Sequence, residues 1–258
     1  MKPLGCQVHS VRELAAKDYL GTLRRLAEIG YKGVEIGRLG DCGPKEVRKV
    51  LDEMGVACIG LHGAIPNPEG ISEAVDTLGA LGCKTCLCNL EPPHYESADL
   101  VRSAAERFAQ ARQLLAPHGV RLVYHNHWWE MKRLDGQLAY DLFFQTAGEA
   151  LAEIDVYWAA VGQAVFGEGD VVELVGRYRS RLPLMHLKDG PLTGGEPRAA
   201  NVAVGSGAMD IPACVKAADP DVLEWLIVEF DSCETDILQA VRDSYDYITR
   251  QGLAAGAR

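Results

Sequence analysis

The sequence has no apolar run long enough to span a bilayer, which takes about 20 consecutive apolar residues, so no membrane-crossing helix is expected. It also lacks the apolar core of a signal peptide: it begins "MKPLGCQVHS". Basic residues are in the minority, 26 Lys and Arg against 36 Asp and Glu, for a formal net charge of −10. A non-specific nucleic-acid surface needs Lys and Arg to neutralise phosphates. That class is therefore disfavoured, although a small local phosphate site stays open. No G-x-G-x-x-G follows the first apolar run, which leaves a dinucleotide-binding sheet unsupported. The 8 cysteines include no second pair at zinc-finger spacing. Cys86 and Cys88 share one face of an apparent strand, where burial as small hydrophobes explains them. The simplest reading is a cytoplasmic protein with reduced thiols and no membrane partner.

What is present is a regular alternation. The chain has 258 residues, 48% of them hydrophobic, enough for one large core, and residues 1–258 read as a single domain. Short β-rich runs lie at 4–10, 33–37, 57–63, 85–90, 121–127, 151–158, 182–188 and 225–231. They are mostly apolar on both faces, as strands covered on both sides are. Between them lie helical patterns. The clearest are 13–30, 44–55, 98–119, 170–181 and 234–252, with weaker ones at 68–82 and 140–150. Repeated strand–helix units imply parallel strands with right-handed crossovers. Eight of them in about 250 residues is the size of a (β/α)₈ barrel. The long segment 189–212 is rich in glycine, and its part 189–209 is read as a lid over the barrel mouth.

Polar residues gather at the C-terminal ends of the runs. Gln7 and His9 end the first, Glu35 the second, His62 the third and Asn89 the fourth. His125 and His127 end the fifth, Asp155 lies in the sixth, His186 and Lys188 end the seventh, and Glu229 and Asp231 the eighth. Five of the seven histidines are in this set. A barrel brings these ends into one ring, where active sites of the fold sit. An apolar interior does not hold carboxylates and imidazoles unpaired, and one divalent cation would satisfy several at once. Imidazole nitrogen with carboxylate oxygen suits Mn, Zn, Co or Fe better than Ca, with Mg a further candidate.

The segments "GYKGVEIG", "VRLVYHNHWWEM", "EIDVYWAAVGQ", "LMHLKDG", "VGSGAMDI" and "LIVEFD" carry a resemblance across nearly the whole chain. It resembles the sugar phosphate isomerase/epimerase superfamily of xylose isomerase-like barrels, which includes inosose dehydratases and other keto-sugar enzymes. The resemblance implies one metal held by Asp155, His186 and Glu229, with a fourth ligand from the fifth strand. That ligand is usually Glu in a "L-E-N-H" pattern, but this chain reads Tyr124-His125-Asn126-His127. His125 then either ligates the metal or contacts substrate.

The implied chemistry is proton abstraction beside a carbonyl of a carbohydrate, giving an enediolate. Isomerisation, epimerisation or loss of a leaving group would follow. Candidate catalytic residues are His125, Glu229, Lys188, Glu35 and His62; His127, Trp128, Trp158 and Asn89 are candidate substrate contacts. Each has a plainer reading. Glu35 and Lys188 can form ion pairs, His62 can be a satisfied interior histidine, and Trp128, Trp129 and Trp158 can simply fill the barrel mouth or a subunit contact. An imidazole in place of a carboxylate makes the two faces of the site unequal, which leans towards dehydration, with His125 as proton donor to a leaving hydroxyl. The rival classes are a non-catalytic sugar-binding barrel and a DNA-repair endonuclease on a related barrel. A homo-oligomer stays open.

Overall fold

The computed structural model describes residues 1–167, 169–192 and 199–257. Eight parallel strands form a closed ring: β1 (Lys2–Gln7), β2 (Gly33–Ile36), β3 (Ala57–Gly63), β4 (Thr85–Cys88), β5 (Arg121–His125), β6 (Leu151–Asp155), β7 (Leu184–Leu187) and β8 (Trp225–Val228). Each strand pairs with its successor, and β8 closes onto β1 through Leu4–Leu226 and Cys6–Val228. Helices α1 (Tyr19–Ile29), α2 (Pro44–Met54), α3 (Ile71–Leu81), α4 (Ala98–Leu115), α5 (Ala139–Ala147), α6 (Val156–Phe166), α7 (Val171–Tyr178), α8 (Ile211–Ala217) and α9 (Ile237–Arg250) lie between and after the strands. This is the (β/α)₈ barrel expected from the alternation. No helix among the described residues is long and apolar enough to cross a membrane.

Two local readings change for physical reasons. The helical pattern over 13–30 is interrupted at Asp18, whose carboxylate accepts from the Gly21 amide at 2.8 Å and starts α1 afresh. The strand pattern over 151–158 stops at Asp155. There the carboxylate accepts from the Trp158 amide at 2.8 Å, so Val156, Tyr157 and Trp158 form the first turn of α6. Helix α6 is buried from Val156 through Gly162. A helix apolar all round shows no amphipathic stripe, which hid it in the sequence.

The barrel interior changes character with height because side chains on one face of a strand recur every second residue. Ile59, Leu87, Val123, Leu184 and Ile227 form an apolar plug at its lower end. Gly5 and Gly60 make room for it, since a Cβ at either would meet Ile59 or Leu87 at 2.3 Å. Two residues further along the same faces stand His125, Glu153, His186 and Glu229. Asp155, Lys188 and Asp231 follow two residues beyond the last three. The intervening Ala152, Ile154, Met185, Leu187 and Val228 belong to the outer core between sheet and helices.

Beyond β7, Asp189 anchors the long loop. Its carboxylate accepts from the amides of Gly190, Gly205, Gly207 and Met209, at 2.8 to 3.1 Å. Asn201 ties the same loop to the end of β8 by accepting from the Asp231 amide at 2.9 Å. The middle of the expected lid, residues 193–198, lies outside the described residues.

Candidate metal centre at the barrel mouth

Strand register sets which polar side chains meet. Gln7 opposes Glu35 across β1 and β2. His125 opposes Glu153 across β5 and β6, and Asp155 opposes His186 across β6 and β7. At the end of β5, Asn126 bonds both sides of the Asp155 peptide backbone. Its Oδ1 accepts from the Asp155 amide at 3.0 Å, and its Nδ2 donates to the Asp155 carbonyl at 3.3 Å. Part of the role of "YHNHWWE" is therefore to lock β5 to β6 at the height of the site.

The resulting cluster is buried and dense. His186 is fully buried, with Nδ1 2.8 Å from Glu229 and Nε2 2.9 Å from Glu35 and 3.3 Å from Glu153. Glu35 also accepts from Gln7 and meets His62, both at 2.6 Å. Lys188 Nζ lies 2.9 Å from both Asp155 and Glu229, contacts Asp231, and sits 4.9 Å from the centre of the Trp158 ring. The ion-pair reading of Lys188 thus holds for the strand carboxylates, while Asp189 faces its loop amides.

Burial and neighbours sort the protonation states. Burial opposes ionised Glu35, but His186 and His62 outweigh it and hold its pKa well below the carboxylate range. Glu229 stays ionised in the same way, against burial, through Lys188 and His186. Burial also opposes charge on His186 and His62, yet the surrounding carboxylates raise both. Glu153 is pushed up to about 8 by burial and then by Glu35, and Asp155 to about 6 mainly by burial. His125 is held well below the imidazole range by burial and by His186, and His127 falls to about 4 by burial and Lys188. His125 is therefore neutral at neutral pH and offers a lone pair.

His125, Asp155, His186 and Glu229 each bring one donor atom within 4.8 Å of the others, and all four are buried. A second group, His62, His125, Glu153 and His186, shares two of these residues and meets the same distance test. Glu35 Oε2 and Glu153 Oε1 are buried without a hydrogen-bond partner. Two imidazoles and two carboxylates with spare buried oxygens nearby form a donor set that fits a borderline divalent cation.

Above the cluster opens a cavity of about 190 Å³, lined by Gln7, His9, Gly37, His62, Asn89, His125, His127, Glu229 and Asp231. Asn89 and His127 are among its lining. Trp158 is 4% exposed and lies under Lys188. Trp128 stacks near Phe166, ring centres 6.0 Å apart, and is not among the cavity lining; Trp129 instead stacks on His127 at 4.4 Å. Glu153 lies inside its strand rather than at the end, so the pattern of polar strand ends does not include it. Its signal in the sequence is the period of two: it stands two residues before Asp155 on the same strand face.

Glu130, five residues beyond His125, sits apart from the cluster. It is fully buried and accepts from the Tyr124 hydroxyl at 3.0 Å, and Tyr124 in turn meets the Tyr95 hydroxyl. Burial pushes the Glu130 carboxyl from 4.5 up to about 8. A pKa raised in the fold gives stability that is complete below about 4.5 and lost as pH rises through about 8. Glu130→Gln should therefore gain on wild type in urea unfolding between pH 5 and pH 8.5, by at most roughly 5 kcal/mol. A difference independent of pH would contradict a protonated Glu130.

Fold and site together define a barrel enzyme scaffold with its polar centre at the C-terminal strand ends. The chain belongs to the xylose isomerase-like TIM barrel family, whose description matches residues 23–251. It is 24% identical over 245 residues to an inosose dehydratase from Geobacillus kaustophilus, covering 80% of this chain and 78% of that protein. A sugar phosphate isomerase/epimerase structure from Parabacteroides distasonis superposes with a TM-score of 0.82 at 25% identity, over 98% of this chain and 96% of the other. The IOLI protein with a binding zinc atom shares the fold, with a TM-score of 0.73 at 14% identity over 96% and 97% of the two chains.

Proposed function

We propose that the protein is a metal-dependent enzyme acting on a sugar or keto-sugar by abstraction of a proton beside a carbonyl. The observation that carries this is the buried convergence of His125, Asp155, His186 and Glu229 directly beneath a small polar cavity. These four residues would hold the cation, which supplies Lewis-acid polarisation of a carbonyl and its neighbouring hydroxyl. The cavity has room for roughly six waters at ~30 Å³ each, the scale of a single small ring.

The chain's own groups then divide the proton work. Glu229, ionised and at the cavity wall, takes the α-proton, and the electron pair moves onto the carbonyl oxygen to give the enediolate. Lys188, held charged by Asp155, Asp231 and Glu229, adds positive potential where that oxygen charge develops. His62 is partly exposed to the cavity and kept protonated by Glu35, so it can return a proton to carbon or oxygen. Neutral, buried His125 suits the ligand role better than that of a proton donor.

Dehydration is the second reading, supported by the likeness to inosose dehydratase. In it the enediolate expels a β-hydroxyl, which leaves as water with a proton from His62. Cytoplasmic location and a small-molecule carbohydrate as partner fit either reading. The acidic side chains at the mouth, Glu229 and Asp231, suit such a ligand better than a phosphate backbone.

The test is solvent deuterium exchange into a panel of keto-sugars and inososes with Mn²⁺ supplied, alongside elemental analysis of the purified protein. Exchange at the carbon beside the carbonyl, dependent on bound metal, is the expected result. Saturable sugar binding without exchange would favour a binding barrel, and cleavage of abasic duplex DNA without exchange would favour an endonuclease.

A further inference from the structure

Strand β5 ends in an imidazole, and the carboxylate nearest to it comes from the neighbouring strand. We propose that Glu153 is the positioning residue for His125: it accepts the Nδ1 proton and leaves Nε2 as the ring's one free donor atom. This rests on the metal reading given above. His125 and Glu153 are direct partners across β5 and β6, so the pleat sends both side chains to one height of the interior. Nδ1 of His125 lies 3.0 Å from Glu153 Oε2.

Glu153 is fully buried, and its ion-pair partners among the described residues are three imidazoles: His125, His62 at 3.6 Å and His186 at 3.3 Å. A buried carboxylate kept only for stability is a poor choice, since an apolar side chain of similar size usually serves as well or better. The apolar plug borders it directly, through Leu184, its register partner on β7, so an apolar residue here would have extended it. Glu153 does not line the cavity, whereas His125 does. That ordering, substrate space then imidazole then carboxylate, is how a ligand's orientation and tautomer are set from behind.

The test uses the full chain labelled with ¹⁵N-histidine, in wild type, Glu153→Leu and Glu153→Gln. The His125 signals are assigned by their loss in His125→Gln. Metal-free wild type should show the Nδ1–H tautomer at His125. Glu153→Leu should lose that preference and bind Mn²⁺ ~10–100-fold more weakly in calorimetric titration. Glu153→Gln still offers an amide oxygen to Nδ1–H, and should restore the tautomer and most of the affinity. An unchanged tautomer and affinity in Glu153→Leu would overturn the proposal. Equal and complete loss of Mn²⁺ binding in both variants would also overturn it, by making Glu153 a direct ligand. If Glu153→Leu does not fold, an Nε2–H tautomer in wild type is enough to refute it. Wild type that binds no divalent cation sinks the metal reading alone, while the tautomer in the same sample still decides the role of Glu153.

Discussion

His186→Ala is expected to purify without its divalent cation and to lose turnover by ~10³-fold or more, the scale of several kcal/mol of Lewis-acid stabilisation. His186 is the hub of the cluster, joining Glu229 through one ring nitrogen and Glu35 through the other. Among the described residues, no other ring contacts both Glu229 and Glu35 through separate nitrogens. Its removal also leaves Glu35, Glu153 and Glu229 short of a buried positive partner, and an unpaired buried charge costs about 3–5 kcal/mol. The metal measurement is therefore made on folded protein, checked by thermal melting, and repeated on His186→Gln, whose amide keeps polar contact but is a weak ligand. Elemental analysis should find about one equivalent in wild type and almost none in either variant. Full metal content in a folded variant would refute the assignment.

The second large effect concerns His125. His125→Gln should reduce solvent exchange at the α-carbon and product formation by the same factor, ~10²-fold or greater, and weaken Mn²⁺ binding along with them. The ground is that burial and His186 keep this imidazole neutral, while Glu153 takes up its Nδ1 side. What remains is a lone pair facing the donor set, which serves a cation. The contrary role, proton donor to a leaving hydroxyl, predicts a split: exchange would persist while product formation fell. Turnover on a keto-sugar and deuterium exchange, measured on one preparation, separate the two. If neither rate falls, the histidine is structural and the reading of "YHNHWWE" as chemistry fails with it.

The (β/α)₈ barrel was legible in the sequence because its signals are local. Apolar strands, helical spacing and stop signals such as Gly30 and Gly55 act over a few residues, and eight repeats of one unit leave few alternatives. The ring of polar strand ends followed from that architecture, so Glu35, His62, His125, Asp155, His186, Lys188 and Glu229 could be named in advance. Helix α6 could not, since burial on every side erased its stripe. Protonation and partnership were also out of reach. Sequence alone could not decide whether His62 or His125 carries the proton, because that depends on which carboxylate lies beside each imidazole and how much water reaches it. Register across β5 and β6 placed Glu153 against His125, and closure of the barrel set Glu35 against His186. The sequence by itself determined the scaffold and the inventory of donors, because both depend on contacts within one strand–helix unit. Which donors face one another, and with what charge, only the tertiary structure decided, because those electrostatic pairs join residues from strands far apart in the chain.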